Sequence, residues 1–525
     1  MTRLSLAQRQ QQIQQIVVTA AEMRQVEARI FAAGMPVAAL MEKVAIAIAQ
    51  RIAELYPAPM RVGVLVGSGH NGGDGLVVAR ELHFRGYPVS IYCPSTQLKE
   101  LTGYHANYCQ SLGIPFVDQV AVLQDCDLLV DALFGIGLDR ELSTDLVAII
   151  NRVNTWMKPV VSIDLPSGLH TDTGQALGSA IQATHTLCLG LWKQGLLQDQ
   201  ALKFVGKAEL IDFDVPLADV WAVVGESPKV RRITLDSAIA HLPLQRSATA
   251  HKYTMGHLLV VCGSRQYAGA AILAGLGARA SGVGMLSIAV PESIKPILTA
   301  QIPEALIVGC SETESGAIAH IPINDLEPYN AIACGPGLTS DAGSVVQRIV
   351  ASDRPLLLDA DGLNYLASVD PVTTLQPRSA ATILTPHWGE FKRLFPDLAE
   401  NPTCRITTTQ QAATQTGAIV LLKGARTIIS DSHTTWINSA STPALARGGS
   451  GDVFTGLLGG LLAQHSASDT QHPAPDTSSS PLTSLVQSAT WWHAQAGILA
   501  AQERSELGVD AYTLTQYLSQ IWQTL

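Results

Sequence analysis

The stretch Gly448-Gly449-Ser450-Gly451-Asp452 runs straight into an apolar segment, placing three glycines and one carboxylate at the start of a predicted helix. The glycines permit a tight backbone whose N–H groups converge on one point, and the helix dipole adds its positive end there. A carboxylate at that place is poised to take a proton from a hydroxyl while phosphate oxygens rest on the amides. The bland alternative is a glycine-rich helix entry chosen for packing. Four more strand ends in the same half carry polar groups. Gly335-Pro336-Gly337 follows Cys334, and Asp359-Ala360-Asp361-Gly362-Leu363-Asn364 follows Leu358. Thr385-Pro386-His387-Trp388-Gly389-Glu390 follows Leu384, and Lys423-Gly424-Ala425-Arg426-Thr427 follows Leu422. A neutral His387 suits a hydrogen bond to an amide or phosphate, or the plain task of capping a helix.

The first half has its own set. Gly67-Ser68-Gly69-His70-Asn71-Gly72 fits the G-x-G-x-x-G pattern of a dinucleotide-binding turn. The second strand, however, ends Ile91-Tyr92-Cys93-Pro94-Ser95 and lacks the acidic residue that would hold an adenosine ribose, which argues against a conventional dehydrogenase. The turn continues Gly73-Asp74-Gly75, where consecutive glycines predict close approach to a diphosphate, and Asn71 offers an oxygen to a hard cation. Asp131 and Asp164 each end an apolar strand, the edge at which α/β folds place ligands.

These groups need a scaffold. Helical periodicity covers 19–55, with Met23, Val26, Ile30, Leu40, Met41, Val44 and Ile48 on the apolar side. Strands are predicted at 61–66, 89–93, 128–130 and 160–163, with a helix over Leu76–Phe84. A second series follows at 257–262, 285–290, 331–334, 356–359, 382–385 and 419–422. Strands alternating with helices imply α/β units with parallel sheets covered on both faces. The predicted organisation is a first domain at 1–215, a proline-bearing connection at 216–250 and a second domain at 251–525. The Ser-, Thr-, Pro-, Asp- and His-rich stretch Gln464–Ser484 cannot support a core and is expected to be a surface loop without chemistry.

At 525 residues the chain calls for two or three domains. Its 47% hydrophobic, 15% charged composition fits a well-packed enzyme, and a net charge of -10 argues against a nucleic-acid binder. The eight cysteines include no CxxC pair, so neither a zinc site nor a disulfide framework is expected. The glutamine-rich N-terminus shows no apolar leader, and no run of about 18 uncharged apolar residues appears. A cytoplasmic protein without membrane partners is expected.

In order, N-G-G-D-G, V-D-A-L-F-G-x-G and I-D-x-P-S-G resemble the NAD(P)H-hydrate epimerase (YjeF N-terminal) domain, a Rossmann-like three-layer fold, over about 15–215. The resemblance implies that Asn71, Asp131 and Ser167 bind K+. It also implies that Gly72, Gly73, Asp74 and Gly75, with Gly135, Ile136, Gly137, Leu138, Asp139, Arg140, Glu141 and Asp164, meet the hydrated nicotinamide nucleotide. Asp164 is the chosen proton-transfer residue; Lys193 is a second candidate, with an exposed lysine as its plain alternative. The family's M-E-N-A-G helix reads Met41-Glu42-Lys43-Val44-Ala45 here. Downstream, G-P-G-L, D-A-D-x-L-N, T-P-H-x-G-E, L-K-G-x-x-T and G-G-S-G-D are similar to the ADP/ATP-dependent NAD(P)H-hydrate dehydratases, a ribokinase-like fold, over about 230–520. That resemblance implies that Lys423, Gly424, Ala425, Arg426, Thr427 and Gly451 contact ADP or ATP, with Mg2+. Ala270 (or Ala271), Gly337 and His387 would contact the substrate, with Asp452 as the base. Trp388 and the Thr442–Arg447 approach depart from the family pattern. The combined expectation is epimerisation of R and S NADHX and NADPHX followed by ADP- or ATP-driven dehydration, with a homo-oligomer open. The competing expectation is a small-molecule kinase fused to a non-catalytic binding module.

Overall fold

The computed structural model describes residues 5–244, 246–400, 404–467 and 480–523. The chain divides into two compact units, 1–230 and 231–525. Both are α/β, as the alternation of strands and helices predicts.

In the first unit, helix α1 (Leu6–Gln15) and the two-residue strand β1 (Val17–Val18) lead into α2 (Ala20–Ala32) and α3 (Val37–Leu55). Thr19 starts α2 through a capping box: its hydroxyl accepts from the Glu22 N–H while the Glu22 carboxylate accepts from the Thr19 N–H. The continuous helical periodicity over 19–55 is in fact two helices bent by 120°. Gly34 at φ 105° and Pro36 break them, because the first takes a conformation costly to other residues and the second has no N–H to continue a ladder. Seven strands then form one sheet: β2 (Val62–Val66), β3 (Val89–Tyr92), β4 (Phe116–Val117), β5 (Leu128–Ala132), β6 (Val160–Ile163), β7 (His185–Leu189) and β9 (Lys207–Ile211). Their order is β4-β3-β2-β5-β6-β7-β9 and every pairing is parallel. Val62, Val64 and Val66 enter one hydrophobic cluster and Leu65 the other, so the sheet is covered on both faces. The order reverses between β2 and β5, and their carboxyl ends open a crevice there. The remaining strand, β8 (Trp192–Lys193), pairs in parallel with β1.

The helix after β2 begins six residues earlier than predicted: α4 spans His70–Phe84. Its glycines satisfy packing. A Cβ on Gly72 would lie 1.9 Å from the Gly67 carbonyl oxygen, and one on Gly75 would lie 2.4 Å from the Ala132 Cβ. Low intrinsic helix propensity is overridden where only glycine fits against the neighbouring Gly67 carbonyl and Ala132 Cβ.

The second unit builds an eleven-stranded sheet from β10 (Val230–Arg232), β11 (His257–Val261), β12 (Met285–Pro291), β13 (Leu306–Glu312), β14 (Ile318–His320), β15 (Ala331–Cys334), β16 (Leu356–Leu358), β17 (Thr382–Leu384), β18 (Ile419–Leu422), β19 (Thr427–Ser430) and β20 (Thr435–Asn438). The order is β10-β20-β19-β18-β17-β16-β15-β11-β12-β13-β14, with a parallel centre and antiparallel pairings of β13 with β14, β18 with β19 and β19 with β20. Here the chain reverses between β11 and β15. The segment 216–250 is not plain connection: it carries helix Leu217–Val224, packed on α2, then β10, and then helix Leu235–Ile239. Helices α5 (Ala268–Ala280) and α7 (Ser450–Ala467) cross in backbone contact, while α8 (Pro481–Arg504) covers α7. Of the predicted Gln464–Ser484 loop, both ends are helical. Gln464 is buried and donates to the Ser281 carbonyl (3.0 Å), and Ser480 caps α8; 468–479 lie outside the described residues.

The α5–α7 contact depends on two glycines. A Cβ on Gly277 would sit 2.1 Å from the Val453 carbonyl oxygen, and one on Gly456 would sit 1.8 Å from that of Ala274. Gly277→Ala should therefore cost about 1–3 kcal/mol by overpacking, read as a lower thermal midpoint for the second unit. Because Val453 adjoins Asp452, the placement of that carboxylate should be disturbed with it. An unchanged midpoint would contradict the close approach.

Candidate active sites

In the first unit the carboxyl ends of β2, β5 and β6 meet helices α2 and α3 around a cavity of about 490 Å³. Asn71, Asp74, Gly135, Ile136, Gly137, Asp164 and Lys193 all line it. Gly72, Gly73 and Gly75 lie buried in the first turns of α4, behind that lining, whereas Asp139, Arg140 and Glu141 are exposed and Leu138 is buried. The Met41–Ala45 segment keeps its place despite the altered motif. Met41 and Val44 line the cavity, and Lys43 turns outward to Asp214 (2.7 Å).

Asp164 sits at φ 67°, a left-handed conformation uncommon outside glycine. It is held from both sides. Oδ2 accepts from the Ile136 N–H (3.2 Å), Oδ1 accepts from the Leu189 N–H (3.4 Å), and Lys193 Nζ is 2.6 Å from Oδ1. Lys193 is 1% exposed, so it is no surface lysine. Its ammonium also donates to the Leu189 carbonyl. Burial pushes the Lys193 pKa down, but the Asp164 charge and its hydrogen bond outweigh that, and the net direction is up. The pairing of β1 with β8 sets Val18 beside Lys193, fixing the lysine where α2 begins.

Two further carboxyls share the cavity. Burial, then the charges of Asp164 and Glu27, raise Asp74 well above the carboxylate range. Glu27 of α2, which the motifs do not mark, is pushed up to about 7 by burial, against the pull of Lys193. Only its i, i+3 and i, i+4 spacing from Met23, Arg24, Ile30 and Phe31 hints at a polar residue on an inward face.

Asp131 ends β5 fully buried. Oδ1 accepts from the Ser167 hydroxyl (2.6 Å) and the Leu133 N–H (3.3 Å), and Oδ2 from the Ser162 hydroxyl and the Ser167 N–H (both 2.8 Å). Burial raises its pKa against these four bonds, and no cation pairs with it among the described residues. Nearby, the Asn71 Nδ2 is buried without a hydrogen-bond partner among the described residues.

In the second unit Asp452 occupies the first turn of α7. Burial and the neighbouring Asp359 push its carboxyl up to about 7, with Lys423 pulling the other way. Lys423 ends β18 and pairs with Asp359 Oδ1 (2.7 Å), while Thr455, one turn into α7, donates to Asp359 Oδ2 (2.7 Å). This bracket ties three strand and helix ends together. Ala360 at φ 46° turns Asp361 away from Asp359, and Asp361 accepts from the Thr339 N–H (2.9 Å). A Cβ on Gly451 would stand 3.7 Å from Lys423 Nζ and 3.8 Å from Asp359 Oδ2, so the glycine turn faces this pair. Ala270 in the first turn of α5 abuts Gly337, which takes φ 66° after β15.

His387 caps the helix α6 (Trp388–Leu394): its Nδ1 accepts from the Gly389 (2.9 Å) and Glu390 (3.3 Å) N–H groups. Its Nε2 lies 3.5 Å from Glu390 Oε1, on a side chain 55% exposed. Capping and an outward Nε2 coexist. Trp388 stacks on Phe391 at 5.5 Å and 6°, an apolar packing role. Exposed Arg447 donates to the Leu507 carbonyl (2.6 Å), fastening the approach to α7. The loop from Lys423 to Arg426 joins β18 to β19, a hairpin the strand prediction omits. Arg405 donates to the Lys423 carbonyl (3.0 Å) and Arg426 to that of Ser439. Arg232, pushed down to about 10 by burial and Arg426, bonds the Ser439 hydroxyl (2.9 Å). Arg232 and Arg405 add positive charge to a loop where sequence alone marks only Lys423 and Arg426.

Residues 258–521 match the NAD(P)H-hydrate dehydratase family and residues 37–195 match the YjeF-related protein N-terminus family. A bifunctional NAD(P)H-hydrate repair enzyme of Synechocystis is 52% identical over 505 residues, covering 96% of this chain and 94% of its own. The chain belongs to the bifunctional NAD(P)H-hydrate repair enzyme family. The corresponding protein of Thermosynechococcus vestitus is 49% identical, over 96% of both chains. A solved ADP/ATP-dependent NAD(P)H-hydrate dehydratase of Bacillus subtilis, co-crystallised with ATP and Mg2+, is 31% identical over 55% of this chain and 96% of its own, with a TM-score of 0.45. The YjeF-related match lies within the first unit and the NAD(P)H-hydrate dehydratase match within the second. No single described helix is long and apolar enough to cross a membrane.

Proposed function

We propose that the first unit interconverts the R and S hydrates of NADH and NADPH, and that the second dehydrates the S form using ADP or ATP. The observation that carries this reading is the placement of Asp452. A carboxyl raised to about 7 stands in the first turn of a glycine-led helix, beside a lysine–aspartate pair. Asp452 takes the proton of the ring hydroxyl, and that oxygen attacks the terminal phosphoryl group. The first-turn amides of α7 and Lys423 stabilise the developing charge. The C–O bond then breaks with its electron pair leaving on phosphate, and loss of a proton from the neighbouring ring carbon to solvent restores the ring double bond. Lys423–Thr427 and Gly451 are assigned to the nucleotide, and Ala270, Gly337 and His387 to the hydrated dinucleotide. Mg2+ neutralises phosphate charge when bound. Asp359, Asp361 and Glu390 are already engaged by Lys423, Thr455, Thr339 and His387, and Asp452 is kept for proton transfer, so the ion would be held chiefly through the bound nucleotide.

In the first unit Asp164 is assigned to proton transfer. K+ fits Asn71, Asp131 and Ser167: all three offer oxygen donors, and the buried Asp131 charge has no cationic partner among the described residues. Bound there, it supplies a counter-charge to Asp131 and fixes the loop after β5. All eight cysteines are free thiols, seven of them buried, which suits a cytoplasmic protein.

Recovery of dihydronicotinamide absorbance from an R/S mixture should be complete with ADP or ATP and absent without nucleotide. Recovery of only the S fraction would refute the epimerase assignment. Phosphorylation of an unrelated alcohol with no recovery would instead favour a kinase.

A further inference from the structure

The epimerase cavity holds more carboxyl groups than its single buried lysine can compensate. Lys193 pairs with Asp164 at 2.6 Å, leaving Asp74 and Glu27 in the same enclosure without a cation at salt-bridge distance among the described residues. Asp74 sits on the first turns of α4, at the sheet edge. Glu27 comes from a different wall, the inward face of α2, where it lines the cavity half-buried and makes no hydrogen bond to any described residue. A half-buried carboxyl that faces a cavity and has no protein partner is free to meet a polar group that enters there. The helix that carries it is firmly placed. Thr19 and Glu22 cap it, the Ala20 N–H donates to Asp172 Oδ1 (2.7 Å), and β1 just before it pairs with the strand of Lys193.

Resting on the epimerase assignment, we propose that Glu27 is a second acid–base residue of that site, delivering a proton to the ring hydroxyl of the hydrated nicotinamide from the α2 wall. The Glu27 O–H bond breaks and its proton joins the ring hydroxyl. The C–O bond breaks with its electron pair and water departs, while the lone pair of the ring nitrogen closes a C=N double bond. A solvent water then adds to the other face. Its oxygen bonds to carbon, the C=N pair returns to nitrogen, and the proton lost by that water passes to the Asp164 carboxylate. Solvent returns a proton to Glu27. Asp164 passes its proton to solvent, so no net proton is consumed, and the reverse epimerisation runs the same steps backwards.

The groups facing Glu27 are Arg24 on its own helix, Asp164 and Lys193 at the sheet edge and Asp74 on α4; His70 and Lys99 line the same cavity. Burial keeps Glu27 protonated up to about 7, so epimerisation that uses it as acid should fall as pH rises through that value.

The test uses the full chain and an R-enriched hydrate, with ADP-driven recovery of the S hydrate as a check on the second unit. Glu27→Gln should lower the epimerisation kcat by about 10²–10⁴-fold, abolish the pH limb near 7 and leave KM within about threefold. Glu27→Asp should restore part of the rate together with the limb. Wild-type enzyme in ¹⁸O-water should place label in the product hydroxyl above the enzyme-free background. A Glu27→Gln enzyme with wild-type rate, or one that keeps the limb while losing rate, would overturn the assignment. So would unlabelled product from the wild type. Wild-type protein that fails to interconvert the epimers would instead refute the epimerase assignment itself.

Discussion

Asp452→Asn is expected to reduce ADP-dependent dehydration of the S hydrate by about 10³-fold, within the range for loss of a general base, while nucleotide still protects the second unit from heat. The wild-type rate should rise with pH through about 7 and then level, because burial and Asp359 hold the Asp452 proton to that value and only the ionised form accepts another. Stability should move the other way. The ordinary value of 3.8 is raised in the folded protein, so the folded state binds this proton more tightly than the unfolded one. The contribution of Asp452 is therefore fully present below about pH 4 and is lost as pH rises through 7. The Asn variant escapes that loss and should be the more stable protein at pH 8, by on the order of 1–3 kcal/mol after solvent screening. Its advantage should shrink toward pH 4. A variant that is both inactive and less stable at pH 8 would indicate a structural carboxylate rather than a base held ready at some cost.

Lys193→Met should have the largest effect in the first unit. It leaves Asp164 enclosed, with only the Ile136 and Leu189 N–H groups to hold its charge. Removing one partner of a buried pair typically costs about 3–5 kcal/mol, and epimerisation should fall by about 10²-fold or more. Dehydration of the S hydrate should be untouched. The double variant Asp164→Asn/Lys193→Met should regain much of the stability, since no unpaired charge is left, but none of the rate. Additive destabilisation by the two changes would contradict the pair.

Much of the fold is legible in the chain because it rests on local rules. Apolar runs of four to seven residues bounded by glycine and polar residues mark β2, β3, β5 and β6 and the core strands of the second unit to within a residue or two. What local rules mis-set is equally specific. The periodicity over 19–55 does not register that Gly34 and Pro36 divide it. Glycine content hides the first six residues of α4, whose glycines are required by the Gly67 carbonyl and the Ala132 Cβ and not by helix propensity. The β19–β20 hairpin follows a loop of polar residues that reads as an extension of the nucleotide motif.

By itself the sequence determined which residue types stand at the strand ends: Asp131, Asp164, Lys423 and the glycine turn before Asp452. Motif order is enough for this, because parallel sheets deliver every strand end to one edge. Only the tertiary structure decided which groups share an enclosure, and therefore what charge each carries. In the chain Lys193 is a second candidate that could as well be an exposed lysine; in the fold it is a fully enclosed partner of Asp164. Glu27, on a helix with no motif, lies with Asp74 and Asp164 around one lysine. Asp452 began as a carboxylate beside glycines; burial next to Asp359, against the pull of Lys423, raises it to about 7, the value the proposed base needs. Those properties depend on distances between residues far apart in the chain, and packing alone sets them.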